Sequence, residues 1–173
     1  MKATLQVINQ MQTDGVIGQY AIGGAIGATF YLEPTATFDI DVFVSLKTAP
    51  GSSLISLAPI YDYLTRPPHH CKIENEYVVI EGWQVQFLPP GDALGEEALA
   101  QAIAVKVDEV TTHVMTAEHL VALALQLGRA KDKIRITQFR ASDVLDEEKL
   151  NQILVRHGLL AKWQEFKDKY GNE

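Results

Sequence analysis

The sequence has little cysteine and no long hydrophobic segment. Cys71 is the one cysteine among 173 residues, so an intrachain disulfide is excluded and a reducing compartment is allowed. No window approaches the ~18 consecutive apolar residues that a membrane-spanning helix needs. The N-terminus lacks the charged start and apolar run that are typical of a signal peptide. We therefore expect a cytoplasmic protein that does not enter a membrane.

Positive charge is scarce in the first three quarters of the chain. Residues 1–127 contain 5 lysines and arginines against 14 aspartates and glutamates, and the whole chain has a net charge of −7. This balance argues against a general nucleic-acid binder. Residues 128–173 reverse it, with 10 basic against 8 acidic residues. The most basic stretch, residues 129–140, favours a bound phosphate over a long nucleic acid.

Hydrophobic periodicity predicts an α/β (α+β) fold, in which a half of mixed strands and helices is followed by a C-terminal helical tail. We expect one structural unit, with an α/β core over residues 1–115 and a helical part over residues 116–173 packed on it. The predicted helices cover 2–14, 25–32, 54–64, 93–101, 117–127, 130–139, 146–156 and 159–170, and the predicted strands cover 19–22, 38–45, 70–74, 77–80, 83–88 and 104–115, the last with a break at Asp108.

Two aspartates on one predicted strand form the first candidate site. Asp39 and Asp41 are two residues apart, so their side chains point to the same face of the strand. Ile40 and Val42 mark the opposite face as buried. Two carboxylates so close together repel each other unless a cation lies between them. Mg²⁺ or Mn²⁺ is the expected partner, because hard cations prefer oxygen ligands and keep positions open for phosphate oxygens.

A glycine pair forms the second candidate site. Gly23 and Gly24 lie between a predicted strand and a predicted helix. Without side chains, their backbone N–H groups can be approached closely by a phosphate. A phosphate-binding turn followed by a two-aspartate metal site predicts a nucleoside triphosphate (NTP) site.

A Gly-Gly turn followed by an Asp-x-Asp strand resembles the signature of the polymerase-beta-like nucleotidyltransferase superfamily. Residues 116–120 and 128–133 resemble its small bacterial branch that is found in toxin–antitoxin loci (AbiEii-like). The resemblance covers roughly residues 18–140. It implies a nucleotidyltransferase-type mixed sheet flanked by helices, Mg²⁺, and transfer of a nucleotidyl group from an NTP. The residues matched to the family's motifs are Gly23 and Gly24 for phosphate, Asp39 and Asp41 for metal and catalysis, and Arg129, Lys131 and Asp132 for the family's basic stretch.

Two positions depart from the family's pattern. The third carboxylate, which serves in the superfamily as a base or an extra metal ligand, is expected on a later strand at the position of Gln86. An amide is not a base and offers a metal only a neutral oxygen. A lysine of the bacterial branch is replaced by Ala124. Glu74 and Glu81 are candidates to supply the missing carboxylate from another position.

Three hypotheses remain open. The chain is an enzyme that transfers a nucleoside monophosphate to a small molecule, an RNA or a protein. It is alternatively a catalytically degenerate module that binds a nucleotide, or one component of a toxin–antitoxin pair with a cognate protein partner. The departures at Gln86 and Ala124 favour the second hypothesis, whereas only the resemblance and an apolar C-terminal helix favour the third.

Overall fold

The computed structural model describes residues 1–34, 36–37, 39–46 and 56–170. Within these ranges the chain forms seven strands and eight helices. In chain order they are α1 (Lys2–Thr13), β1 (Tyr20–Ile22), α2 (Gly24–Ala28), β2 (Asp39–Val44), α3 (Ala58–Thr65), β3 (Lys72–Glu74), β4 (Tyr77–Ile80), β5 (Trp83–Leu88), α4 (Ala93–Ala100), β6 (Ile103–Val107), β7 (Val110–Val114), α5 (Ala117–Leu127), α6 (Ala130–Ala141), α7 (Glu147–Arg156) and α8 (Leu160–Tyr170).

The strands form one mixed sheet in the order β3-β4-β5-β2-β1-β7-β6. The pairs β2–β5 and β1–β7 are parallel, and the other neighbours are antiparallel. This arrangement confirms the predicted mixed α/β sheet with flanking helices. β2 lies in the middle of the sheet, so both of its edges are paired.

The alternation along β2 divides the molecule into two hydrophobic cores. Ile40, Val42 and Val44 are fully buried in a core to which α1 and α3 contribute. Phe43, on the other face, packs against the second core, which is built mainly from α4 to α8. Because side chains alternate between the faces of a strand, Asp39 and Asp41 lie on the side of this second core.

Two predicted helix ends differ from the structure by about one helical turn, and the other helix and strand ends differ by one or two residues or agree. The helix predicted to reach residue 32 ends at Ala28, where the Thr29 hydroxyl donates a hydrogen bond to the Ile26 carbonyl at 2.7 Å. Such a local bond competes with continuation of the helix. The helix predicted from residue 54 begins at Ala58 in the described chain. Its first predicted residues, 54 and 55, lie outside the described residues, as does the Phe38 start of the predicted strand.

The segment predicted as extended with a break at Asp108 is a hairpin of β6 and β7. Asp108 and Glu109 form its turn with φ values of 47° and 66°. Successive positive φ angles are typical of the tight turns that join antiparallel strands. In the described ranges, no helix combines the length and apolarity that crossing a lipid bilayer requires.

The start and end of α5 place the helical part on the sheet. The Thr116 side chain accepts a hydrogen bond from the His119 N–H, as an N-cap residue does. Gly128 ends the helix in the left-handed conformation with φ of 66°. Arg129 begins α6 directly after this turn. The chain reversal at Gly128 therefore decides where the basic stretch lies relative to β2.

Candidate functional site

The glycine turn and the second aspartate of β2 are in direct contact. The Gly23 N–H donates to the Asp41 carbonyl at 2.9 Å. Gly24 has a φ of 58°, and a Cβ atom on Gly24 would overlap the Asp41 carboxylate. The sequence predicted that these two motifs face each other, and the structure places them together.

The same turn leaves backbone donors at the start of α2. The first helical bond runs from the Gly27 N–H to the Gly23 carbonyl at 2.7 Å. The N–H groups of Gly24, Ala25 and Ile26 precede it, and such groups have no partner inside a helix. α2 is only one short turn of five residues. A phosphate there would therefore depend on these individual N–H groups and not on a helix dipole.

The two aspartates share one side of β2 and are both partly exposed. The Thr37 hydroxyl donates to the Asp39 carboxylate at 2.7 Å. Burial and the charge of Asp39 raise the pKa of Asp41, while Lys131, Arg135 and Arg129 act in the opposite direction. A cation at this position would relieve the repulsion between the carboxylates. The donor set therefore fits a hard divalent cation that takes its remaining ligands from water or phosphate.

In the part of the chain that the structure describes, no third carboxylate completes a metal site with this pair. In the parallel register, Gln86 is directly across from Asp41. Glu74 pairs with β4 on the outermost strand, three strand spacings or about 14 Å from β2. Glu81 lies in the reversal after β4, and burial, followed by the charge of Glu81, raises the pKa of Cys71. Among the described residues, no group of three His, Cys, Asp or Glu side chains could hold a metal ion.

A cleft of about 370 Å³ opens beside Asp41. Gly24, Asp41 and Gln86 line one side of it, and α5 and the start of α6 line the other. The α5 side is apolar, and Ala124, at the position where the bacterial branch has lysine, is 3% exposed. The apolar lining residues are Phe43, Leu88, Leu120, Leu123, Ala124 and Leu127.

The predicted basic residues are divided by the geometry of α6. Arg129 lines the cleft together with Asp132, but Lys131 is exposed and does not line it. Arg135 also lines the cleft, and the sequence analysis included it only as part of the basic stretch of residues 129–140, without matching it to a motif. The signal for Arg135 was its spacing, because residues three apart on a helix share a face and Asp132 was already a candidate.

One structural comparison identifies the fold. The chain is similar to the crystal structure of an antigenic nucleotidyltransferase-like protein from Paracoccidioides brasiliensis, with a TM-score of 0.60, 12% identity, and coverage of 96% of this chain and 91% of that chain. It also aligns with the solution structure of the antibiotic-resistance factor ANT(2'')-Ia, with a TM-score of 0.49 and 14% identity over 99% of this chain and 98% of that chain. The first similarity shows a nucleotidyltransferase-type fold. A scan against protein-family models and a sequence search of curated proteins both found no match.

Proposed function

We propose that this chain binds an NTP together with a divalent cation and transfers its nucleoside monophosphate to a hydroxyl group of an acceptor. The observation that supports this most directly is the contact between the Asp41 carboxylate and Gly24, with Asp39 on the same side of β2. This contact joins a pair of metal-binding oxygens to a turn without side chains, at the edge of a cleft of nucleotide size. The nucleotidyltransferase-type fold is consistent with that reaction.

Different residues of the cleft would bind the cation, the phosphates, and the base or the sugar. Asp39 and Asp41 would hold the cation, which when bound supplies charge neutralisation for the phosphate oxygens. The bare backbone of Gly24 lets the Asp41 carboxylate lie beside the N–H groups that begin α2, and these N–H groups would bind phosphate. The apolar wall of α5 is suited to cover the base or the sugar and to exclude water, which strengthens the charge interactions within the cleft.

The transfer itself is a displacement at the α-phosphorus. The acceptor oxygen forms a new bond to this phosphorus, and the bond to the pyrophosphate oxygen breaks. Pyrophosphate leaves with the electron pair, and the acceptor's proton passes to water. The protein's share of the catalysis is to position the reacting groups and to stabilise their charge.

One observation favours a second candidate function. Gln86, and not a carboxylate, lies across from Asp41. The other carboxylates of the cleft are occupied, since Asp92 accepts from Gly95 and Gln126, and Asp132 accepts from Arg129. A cleft without an available base would hold a nucleotide without turnover. The chain would then act as a nucleotide-binding module or as the partner of a toxin–antitoxin pair.

The metal-binding step can be tested with Asp39→Asn and Asp41→Asn. We expect each change to weaken Mg²⁺-dependent NTP binding by about tenfold or more, because an amide is a weaker ligand for a hard cation. Titration calorimetry with each of ATP, GTP, CTP and UTP would measure this. Asp108→Asn, in the exposed β6–β7 turn, is the matched control and should bind as the wild type does. Unchanged binding in both variants would refute the proposed site.

Turnover needs a separate experiment. The pure protein would be incubated with α-labelled NTPs, Mg²⁺ and, in turn, total RNA, a protein extract and small-molecule alcohols. Label transfer that disappears in the Asp41→Asn variant supports the transferase. Tight NTP binding without any label transfer supports the binding module.

A further inference from the structure

A fully buried carboxylate organises the basic end of the cleft. Asp132 is 0% exposed. It accepts hydrogen bonds from the Arg129 Nε at 2.6 Å, from the Arg129 Nη2 at 3.1 Å and from the Arg129 backbone N–H at 3.2 Å. This is a bidentate pairing combined with a helix cap, and it fixes the plane of the Arg129 guanidinium.

Arg135 lies one turn further along α6 and is held less tightly. Its Nη1 is 3.8 Å from the Asp132 carboxylate, and its side chain is 16% exposed. Among the described residues, the Arg135 side chain makes an ion pair with Asp132 but no hydrogen bond. A guanidinium has five N–H donors. Most of these donors therefore remain available at the wall of the cleft that Arg135 lines.

The two arginines outnumber the carboxylate between them. Asp132 neutralises one of the two positive charges, so Arg129, Asp132 and Arg135 together carry one positive charge in a cleft that Asp41 and Asp92 also line. Both guanidinium groups are close enough to act on Asp41, and both oppose the increase of its pKa. Lys131 contributes to the same field from outside the cleft. Two guanidinium groups that line one cleft offer the planar, paired N–H donors that match phosphate oxygens.

We propose that Arg129 and Arg135 form a guanidinium clamp for the phosphates of the nucleotide, that Asp132 positions the clamp, and that Arg135 makes the main contact. This inference rests on the proposed function, because it names how the same cleft holds its ligand. It keeps Arg129 from the sequence-based assignment, in which Arg129 and Lys131 of the basic stretch bind phosphate, and it names Arg135 in place of Lys131 as the main contact. The clamp carries its own charge, so it binds a polyphosphate even when no metal is present.

Metal-free binding separates the clamp from the aspartate pair. In buffer with EDTA and low salt, the wild type should bind inorganic tripolyphosphate and ATP measurably, and adding Mg²⁺ should tighten the binding of ATP. Asp39→Asn should remove only the increment that Mg²⁺ supplies. Arg135→Gln should weaken binding by about tenfold or more in both conditions, because it removes a charge-assisted contact to phosphate.

Arg140→Gln is the matched control, since it removes the same side chain from the last turn of the same helix outside the cleft lining. It should bind as the wild type does. Arg135→Lys, which keeps the charge but not the fork, should give an intermediate affinity and serves as the folded variant if Arg135→Gln unfolds. Circular dichroism and thermal melting would establish the folding of each variant.

The outcomes separate the two proposals. Wild-type binding that Arg135→Gln and Arg135→Lys both leave within twofold overturns the clamp but not the proposed function. Binding that depends entirely on Mg²⁺, with none in EDTA, also overturns the clamp. A wild type that binds no NTP with or without Mg²⁺ overturns the proposed function and the clamp together.

Discussion

Gly24 has a left-handed backbone conformation, and there is no room for a Cβ atom at this position. Its φ of 58° is a conformation that residues with a Cβ atom rarely adopt, and the Asp41 carboxylate occupies the space where that atom would lie. The contact fixes how the turn and the metal-binding strand approach each other. The glycine is therefore required both by the backbone and by the neighbouring acid.

Gly24→Ala tests this double requirement. We expect the free energy of unfolding to decrease by roughly 1–3 kcal/mol, since the left-handed conformation costs about 1–2 kcal/mol and the overlap with Asp41 adds to it. Mg²⁺-dependent NTP binding should also weaken, because the Asp41 side chain must move. Chemical denaturation and calorimetry would measure the two effects.

Gly158→Ala separates the two causes. Gly158 has a φ of 67°, but no atom lies within 4 Å of the position of a Cβ. This variant should show the backbone cost of about 1–2 kcal/mol and no change in NTP binding. Equal losses of stability and binding in both variants would contradict the role of the Asp41 contact.

The predicted residues of the site were recognisable because they follow a pattern along the chain. Asp39 and Asp41 have the period of a strand, and Gln86 lies across from Asp41 in the parallel register. Arg135 has no such pattern. Its position depends on the burial of Asp132 and on the turn at Gly128, and both are properties of the folded chain. For the same reason the sequence could not show that Lys131 lies outside the cleft lining while its charge still acts on Asp41.

At the scale of elements, periodicity and turn residues placed the helices and strands correctly, with small errors at their ends. Glycine and proline mark most of the boundaries, and Gly128 ends α5 as predicted. The end of α2 was missed because a hydroxyl–carbonyl bond decides it. The β6–β7 turn was only partly predicted, since neither Asp108 nor Glu109 is a glycine although both have positive φ.

The second residue of this turn offers a way to stabilise the hairpin. Glu109 has a φ of 66°, and its ion pair with Lys106 is 3.6 Å long between two exposed side chains. Such a pair contributes little. Glu109→Gly should therefore increase the free energy of unfolding by roughly 0.5–1 kcal/mol, because it removes the strain of a left-handed residue.

Glu76→Gly is the control for that change. Glu76 is also exposed in a two-residue reversal, between β3 and β4, but it is not among the described residues with positive φ. Replacing it should lower stability, since glycine then only increases the freedom of the unfolded chain. Urea denaturation of both variants would measure the difference. A Glu109→Gly variant less stable than the wild type would refute this account of the turn.

At the scale of the whole molecule, one carboxylate joins three helices that are far apart in the sequence. Glu97 on α4 accepts hydrogen bonds from the Arg156 side chain at 2.6 and 3.0 Å, and it lies 2.7 Å from His157 Nε2 and 3.3 Å from His119 Nε2. Periodicity cannot predict such a cluster, because the other members lie 22 to 60 positions from Glu97 in the sequence. The cluster holds α5 in position through His119, and α5 also forms the apolar wall of the cleft.

This cluster predicts a dependence of stability on pH. The hydrogen bonds from Arg156, followed by those from His157 and His119, lower the pKa of Glu97 to about 2 from an ordinary value of 4.5. A carboxylate with a lowered pKa in the folded state contributes stability that is fully present above its unfolded pKa. That contribution is lost as the pH falls from about 4.5 towards about 2.

Glu97→Gln should therefore lower the melting temperature by roughly 3–10 °C at pH 7, since hydrogen bonds to a charged group contribute about 1.5–3 kcal/mol and a chain of this size loses about 2–4 °C per kcal/mol. The difference from the wild type should shrink steadily below pH 4.5, because the unfolded wild type then takes up a proton at Glu97 while the folded carboxylate stays ionised until about pH 2, so the contribution of its charge is lost. Glu96→Gln changes the adjacent, exposed carboxylate of α4 and should leave the melting curve unaltered at every pH. A difference between the wild type and Glu97→Gln that stays constant from pH 7 to pH 3 would mean that shape, and not the charge of Glu97, holds the three helices together.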